Sequence, residues 1–244
     1  MDFMVVIPAR WRSSRFPGKA LVPICGKPMI VQTYVQCTKA VPVEKIVVAT
    51  DDTRISSVCR EHDIPCVMTS VECLTGTDRV AEVANMIEAD SYINVQGDEP
   101  TFNPDDLTDL ITAIDRFPGE VVNGYCRIHT DDLYFSRMTP KVVVRPDGRL
   151  LYMSRAPIPM GKCGQPDVSF RQVCAYVFPR ESLRLFASTK VKMPLEAAED
   201  IELLRLLELG FEIRMIELSD QSVSVDEEKD VAIAESKRRE LGLD

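Results

Sequence analysis

Phe3-Met4-Val5-Val6-Ile7-Pro8-Ala9-Arg10-Trp11-Arg12-Ser13-Ser14-Arg15-Phe16-Pro17-Gly18-Lys19 decides the reading of this chain. The apolar run Phe3 to Ile7 is short, unbroken and rich in β-branched residues, the pattern of a strand buried on both faces. It breaks at Pro8 into a loop that carries Arg10, Arg12, Arg15, Lys19, two serines and a Pro-Gly turn. A strand that ends in such a loop delivers cations to the carboxyl edge of a sheet, where open α/β sheets bind ligands. Arginine clamps phosphate in bidentate fashion and lysine acts as a mobile point charge, so Arg10, Arg15 and Lys19 suit a polyphosphate. The loop is neither a P-loop nor a dinucleotide fingerprint, since GxxxxGK[ST] and GxGxxG are both absent.

The chain as a whole has the opposite sign. Its net charge is -9, and yet four cations crowd one strand end. An acidic balance argues against general nucleic-acid binding. With 45% hydrophobic residues and no apolar run of membrane-spanning length, the chain reads as a soluble, cytoplasmic α/β protein. Eight cysteines include no CxxC pair, and there are only two histidines. Structural zinc is therefore not expected, and the cysteines read as small buried hydrophobes.

Outward from the first strand, Met29 to Thr38 has helical spacing, Glu44 to Thr50 reads as a strand, Arg54 to His62 as a helix and Pro65 to Met68 as a short strand. This alternation predicts a parallel sheet with right-handed crossovers. Thr75-Gly76-Thr77-Asp78-Arg79 opens another helix with a capped, anion-favouring first turn. Ser91 to Pro100 is a central strand that ends in Gln96-Gly97-Asp98-Glu99-Pro100. Asp98 falls at the same edge as the cationic loop, where a carboxylate tolerates phosphates only through a hard cation such as Mg²⁺. Residues 120–180 carry four strand-like runs and predict a mostly antiparallel extension on the acceptor side that also offers a dimer surface. Ala197 to Leu209 predicts one amphipathic helix with Glu199, Glu202 and Arg205 near one face. A strand at Glu212 to Ile216 and a charged terminal helix complete the chain, which is expected to form a single domain over 1–244.

Five ordered motifs, Ile7-Pro8-Ala9-Arg10, Ser14 to Lys19, Ala49-Thr50-Asp51-Asp52, Gly76 to Arg79 and Asn94 to Pro100, resemble the CMP-KDO synthetases, the 3-deoxy-manno-octulosonate cytidylyltransferases. Lys141-Val142-Val143, Tyr152 to Pro159, Glu202 to Arg205 and Val225-Asp226 extend the resemblance over nearly the whole chain. It implies a nucleotide-diphospho-sugar-transferase-like, Rossmann-like mixed sheet flanked by helices, with a smaller antiparallel β extension. It implies CMP transfer from CTP to a 2-keto-3-deoxy sugar acid, with pyrophosphate released, for surface polysaccharide or lipopolysaccharide synthesis by a homodimer. Lys19, Asp98, Asp226 and Arg10 would be catalytic, with Asp98 and Asp226 on Mg²⁺. Pro8, Ala9, Arg10, Ser14, Arg15, Lys19, Thr50, Asp51, Thr77, Arg79, Gln96 and Asp98 would surround CTP. Arg79, Gln96, Lys141, Arg155, Gln172, Tyr176, Glu199 and Glu202 would surround the acceptor.

The departures lie on the acceptor side, where Gln172 and Cys174 replace a histidine and a glycine of the family pattern and Leu203 replaces a glutamine. They leave open the same transfer to another 3-deoxy-ulosonic acid, to an amino-substituted relative or to a phosphonate. A nucleotide-binding protein without catalysis is the reading of another class, separated from the rest by pyrophosphate release.

Overall fold

Strand β1 (Phe3–Ala9) is the axis of the structure, a computed structural model that describes residues 1–13, 15–162, 164 and 168–243. After it come the hairpin β2 (Pro23–Ile24) and β3 (Lys27–Pro28), α1 (Met29–Thr38), β4 (Ile46–Thr50), α2 (Thr53–Glu61), β5 (Cys66–Met68), α3 (Gly76–Met86) and β6 (Ser91–Val95). Then follow α4 (Pro104–Arg116), β7 (Val121–Arg127), α5 (Asp131–Phe135), β8 (Lys141–Val144), β9 (Leu150–Ser154) and β10 (Phe170–Pro179). The chain closes with α6 (Arg180–Phe186), α7 (Pro194–Glu199), α8 (Leu203–Glu208), β11 (Ile213–Glu217) and α9 (Glu228–Glu240).

The main sheet runs β11-β7-β10-β6-β1-β4-β5. β1 pairs in parallel with β4 and β6, and β4 with β5, as the alternating pattern predicts. β10 is inserted antiparallel between β6 and β7, while β11 returns parallel to β7. The antiparallel strands expected over 120–180 are present, but β7 and β10 belong to the main sheet, so the part that projects is the β8–β9 ladder.

Both faces of the sheet are buried. Val5 and Ile7 of β1 pack against α1, α2 and α4 through Ile30, Ile55 and Leu110. Val6 faces the other way, toward α3, α6 and α8 through Val80, Phe186 and Leu204. A third, smaller core joins Ile24 and Met29 to Val225 and Ala234, which ties the carboxyl-terminal segment to the amino-terminal hairpin.

Two local expectations are corrected. β1 continues through Pro8 to Ala9, because Pro8, which lacks an N–H, still accepts from the Gly97 amide at 3.3 Å and lies in register with Ala49 of β4. The single helix expected over 197–209 is broken at Asp200, which adopts a left-handed conformation with φ 51°. The buried ion pair between Glu196 and Arg205 explains the break, because residues nine apart on one continuous helix lie on about opposite faces. Turning the chain at Asp200 lets Arg205 meet Glu196 at 2.6 Å and Asp78 of α3 at 2.9 Å. Glu199, Glu202 and Arg205 consequently reach three different partners rather than one face.

Candidate active site

At the carboxyl ends of β1 and β6 lies a cavity of about 560 Å³. It is bounded on one side by the loop after β1, on another by the first turn of α3, and on a third by the start of β10, which enters the same edge because it runs antiparallel. Pro8 and Ala9 form the floor with Gly97. A side chain at Gly97 would place its Cβ 2.7 Å from the Pro8 carbonyl oxygen, so only glycine lets the two strand ends approach this closely.

The centre of the site is the Lys19 ammonium. It donates to Asp98 Oδ2 at 2.6 Å, to the Val225 carbonyl at 3.0 Å and to Asp226 Oδ1 at 3.1 Å. These residues are distant in sequence, and three local devices bring them together. Gly18, with φ 75°, turns the loop into the short helical turn that carries Lys19. Gly97 turns the chain just beyond β6 and sets Asp98 three residues past the strand's end, and the Asp98 carbonyl accepts from the Val225 amide at 3.0 Å. Val225 is anchored in the third core, and the Asp226 and Glu227 amides both donate to Asp230 at the start of α9, which orients Asp226. Arg15 adds a second cation at 3.0 Å from Asp226 Oδ1.

Burial alone would lower the Lys19 pKa, but the charges of Asp98 and Asp226 outweigh it and raise the value, so the amine stays protonated. Side-chain exposure of 15% for Lys19, 23% for Asp98 and 31% for Asp226 leaves the cluster open to a ligand from the cavity. Beside it, Glu99 is buried and bonds to the Ser222 hydroxyl. Burial first and Asp98 second push its carboxyl up to about 8, against the opposing bond from Ser222.

The cavity brings together Pro8, Ala9, Arg10, Arg15, Lys19, Arg79, Gln96, Asp98, Arg155, Gln172, Tyr176, Glu202 and Asp226 of the expected set. Arg10 is exposed and forms no ion pair among the described residues. Ser14 lies outside the described residues. Five expected residues stand behind the lining instead. Thr50 is fully buried, and Asp51 pairs with Arg79 at 3.1 Å and accepts from the Trp11 amide at 3.4 Å. Thr77 is buried against Glu202. Lys141 is enclosed and donates to the carbonyls of Ser136, Thr139 and Arg155 at 2.7, 2.6 and 2.7 Å, so its three hydrogens are spent on fixing the backbone. Glu199 accepts from Ser154 Oγ at 2.5 Å and from the Arg155 amide at 2.9 Å, and so holds Arg155 rather than a ligand.

On the acceptor side, Glu202 occupies the amino terminus of α3, where it accepts from the Gly76 amide at 3.1 Å, the Thr77 amide at 2.9 Å and Thr77 Oγ1 at 2.5 Å. Burial raises its pKa against these bonds. The Arg155 guanidinium donates to the carbonyls of Glu199, Arg137 and Asp200 at 2.5, 3.0 and 2.9 Å. Among the described residues Arg155 forms no ion pair, so its charge is available to an anion. Arg137 and Asp200 also line the cavity, and sequence reasoning missed both, because a connector and a helix break carry no local motif.

Asn123 decides how Gln172 is presented. Its Nδ2 donates to the Val173 and Ala175 carbonyls at 2.9 Å each, which leaves Oδ1 to accept from Gln172 Nε2 at 3.3 Å. The other hydrogen of Gln172 Nε2 goes to the Tyr176 hydroxyl at 3.4 Å. Both amide hydrogens are thus used, and the Gln172 carbonyl oxygen remains for a ligand.

Asp98 and Asp226 converge on one cation, and their oxygens are the donors a hard metal prefers. Among the described residues no group of three or more His, Cys, Asp or Glu could hold a metal by itself. Two carboxylates completed by substrate phosphates is the donor set that fits Mg²⁺, which binds through few protein ligands.

A mixed α/β sheet whose carboxyl edge gathers a lysine, two aspartates and several arginines around one cavity has the cation-and-carboxylate constellation expected of a nucleotidyltransferase. A solved cytidylyltransferase from Leptospira borgpetersenii shares the fold, with a TM-score of 0.65 at 14% identity over 98% of this chain and 87% of that one. A family profile described as Cytidylyltransferase matches residues 4–215. The 3-deoxy-manno-octulosonate cytidylyltransferase of Geobacter metallireducens is 38% identical, with 95% of each chain covered, and that of Escherichia coli is 37% identical, with 91% of this chain and 90% of the other covered. A solved CMP:2-keto-3-deoxy-manno-octonic acid synthetase complexed with CTP superposes with a TM-score of 0.91 at 33% identity, covering 99% of this chain and 100% of that one. The chain belongs to the 3-deoxy-manno-octulosonate cytidylyltransferase family, as the motif resemblance implied. Among the described residues no helix is long and apolar enough to cross a membrane.

Proposed function

We propose that the chain transfers CMP from CTP to 3-deoxy-manno-octulosonate and releases pyrophosphate. The observation that carries this reading is the Lys19 ammonium held between Asp98 and Asp226 beside Arg15, in a cavity that Arg155 and Gln172 also line. Arg10, Arg15 and Lys19 bind the triphosphate. Arg155 receives the carboxylate of the sugar acid, and Gln172 and Tyr176 meet its hydroxyls.

The anomeric hydroxyl attacks the α-phosphorus in line, its new P–O bond replaces the bond to the β-phosphate oxygen, and no protein nucleophile is required. Lys19 stabilises charge on the phosphoryl oxygens because it is already oriented and protonated before the reaction begins. Asp98 and Asp226 would hold Mg²⁺, which when bound neutralises phosphate charge and acidifies the attacking hydroxyl. Excess EDTA is expected to abolish turnover and added Mg²⁺ to restore it; full activity in EDTA would remove the metal from the reading.

The purified protein with CTP, Mg²⁺ and 3-deoxy-manno-octulosonate should release pyrophosphate, and a nucleotide panel should favour CTP. A second reading has a specific support: Asn123 locks Gln172 so that it offers only a carbonyl, and Cys174 stands beside it, which suits a different 3-deoxy-ulosonic acid with a donor group there. Turnover with such an acid and silence with 3-deoxy-manno-octulosonate would select it. Tight CTP binding by calorimetry with no pyrophosphate from any acceptor would instead favour a protein without catalysis.

The same reading includes a cytoplasmic homodimer serving lipopolysaccharide synthesis. Exposed Phe135, Met138, Leu151 and Met160 on α5, β9 and the connectors beside them support a surface for a second copy. The Tyr134 hydroxyl ties α5 to the Pro159 carbonyl at 2.7 Å, which holds two of these segments together. Sedimentation of the wild type as a monomer at micromolar concentration would remove the dimer.

A further inference from the structure

Trp11, the only tryptophan of the chain, sits in the middle of the cationic loop but does not line the cavity. Its main chain closes the loop on itself. The Trp11 carbonyl accepts from the Ser13 amide at 3.0 Å and from the Gly18 amide at 2.9 Å, and its own amide donates to Asp51 at 3.4 Å. The second oxygen of Asp51 is held by buried Arg79 at 3.1 Å, so the contact leads directly into the sheet edge.

The ring is gripped as well. A side chain at position 18 would place its Cβ 2.9 Å from the ring atom Cη2, so the six-membered end of the indole rests against Gly18 and only glycine permits it. The Arg54 guanidinium carbon lies 3.4 Å from the ring centroid. Arg54 is fixed in turn by Asp52, which accepts from its Nε at 2.8 Å and its Nη2 at 2.7 Å while capping α2 through the Arg54 amide at 2.9 Å. The loop carries four like charges that repel one another. Among its described residues, Trp11 is the one whose amide, carbonyl and ring are all held.

We propose that Trp11 is a positioning residue: gripped by Arg54 and Gly18, it holds the loop from Arg10 to Lys19 in its triphosphate-receiving shape before the nucleotide arrives. This rests on reading that loop as the CTP site. Arg54 acts only through the ring, since it does not line the cavity. Asp51, expected from sequence to touch CTP, acts through the Trp11 amide. A loop ordered beforehand need not lose that freedom on binding, so loss of the grip falls on the nucleotide and spares the acceptor wall.

The test compares Trp11→Leu, Trp11→Phe and Arg54→Gln with the wild type, with KM for each substrate, kcat and CTP affinity by calorimetry. For Trp11→Leu, kcat/KM for CTP is expected to fall about a hundredfold, as for a misplaced reacting group. The acceptor KM at saturating CTP should move less than about twofold, because the ring stands apart from that wall. Trp11→Phe keeps an aromatic face under Arg54 and is expected to recover most of the loss. Arg54→Gln, at an exposed position, is expected to weaken CTP by roughly two- to fivefold, the value of one cation–π contact.

Wild-type kcat/KM for CTP in Trp11→Leu, or an equal rise in both KM values, overturns the proposal. If Trp11→Leu shows no cooperative melting, Arg54→Gln carries the test alone, and unchanged CTP affinity there overturns it. A wild type that binds CTP but turns over no acceptor defeats the proposed reaction and leaves the CTP affinities to decide this inference. A wild type that binds no CTP overturns both.

Discussion

Lys19→Met keeps the length and apolar stem of the side chain and removes its charge, which separates the catalytic work of the amine from its packing. In the folded chain the amine serves Asp98 at 2.6 Å, Asp226 at 3.1 Å and the Val225 carbonyl at 3.0 Å. Its loss leaves two carboxylates facing each other, with repulsion of about 1 to 4 kcal/mol at ion-pair separation depending on local dielectric. The lower end applies, because Asp226 is nearly one-third exposed and Arg15 remains at 3.0 Å. Adding one lost charged hydrogen bond, the net destabilisation is about 2 to 3 kcal/mol, and a chain of this size should melt roughly 4–12 °C lower. The effect on chemistry is larger, since removing one oriented donor from a developing charge costs about 10²–10³ in kcat. Lys19→Arg is not expected to restore it, because a planar fork cannot take the place of a compact ammonium among three acceptors. Pyrophosphate release measured below both melting temperatures separates the two effects. A Lys19→Met enzyme with kcat within about threefold of the wild type would refute the placement of this amine at the reacting phosphate.

Three further outcomes follow from the packing. Gly97→Ala puts a methyl 2.7 Å from the Pro8 carbonyl and must displace Asp98, so kcat should fall at least about tenfold with CTP still bound, as read by steady-state kinetics beside calorimetry. Lys141→Met takes the side-chain donor from three part-buried carbonyls, of which that of Ser136 keeps the Thr139 amide, and should cost about 2–3 kcal/mol in urea denaturation, although Lys141 does not line the cavity. Arg205→Met strands the buried Glu196 carboxylate and should cost about 3–5 kcal/mol, whereas Arg184→Met on the exposed face of α6 should cost well under about 1 kcal/mol in the same assay.

By itself the sequence determined the order of the main-sheet strands and their helices up to Val95, though not the small β2–β3 hairpin, because a parallel sheet buried on both faces demands unbroken apolar runs and its crossover helices leave a period near 3.6. It determined that cations meet carboxylates at one sheet edge, since Phe3 to Ile7 and Ser91 to Val95 both end in polar loops at the same end of parallel strands. It also determined the family, through the order of motifs from Pro8 to Asp226. Tertiary structure alone decided that β10 is inserted antiparallel and so brings Gln172 and Tyr176 to that edge, because a strand run does not encode its direction. It alone decided that Thr50, Asp51, Thr77, Lys141 and Glu199 brace the site while Arg137 and Asp200 line it, because a polar residue in a motif has the same identity whether its partner is a ligand or a buried carbonyl. And it decided that the chain breaks at Asp200, where satisfying Arg205 outweighs one more turn of helix: local pattern records what a helix could bury, but a buried charge is settled only by the partners the fold supplies.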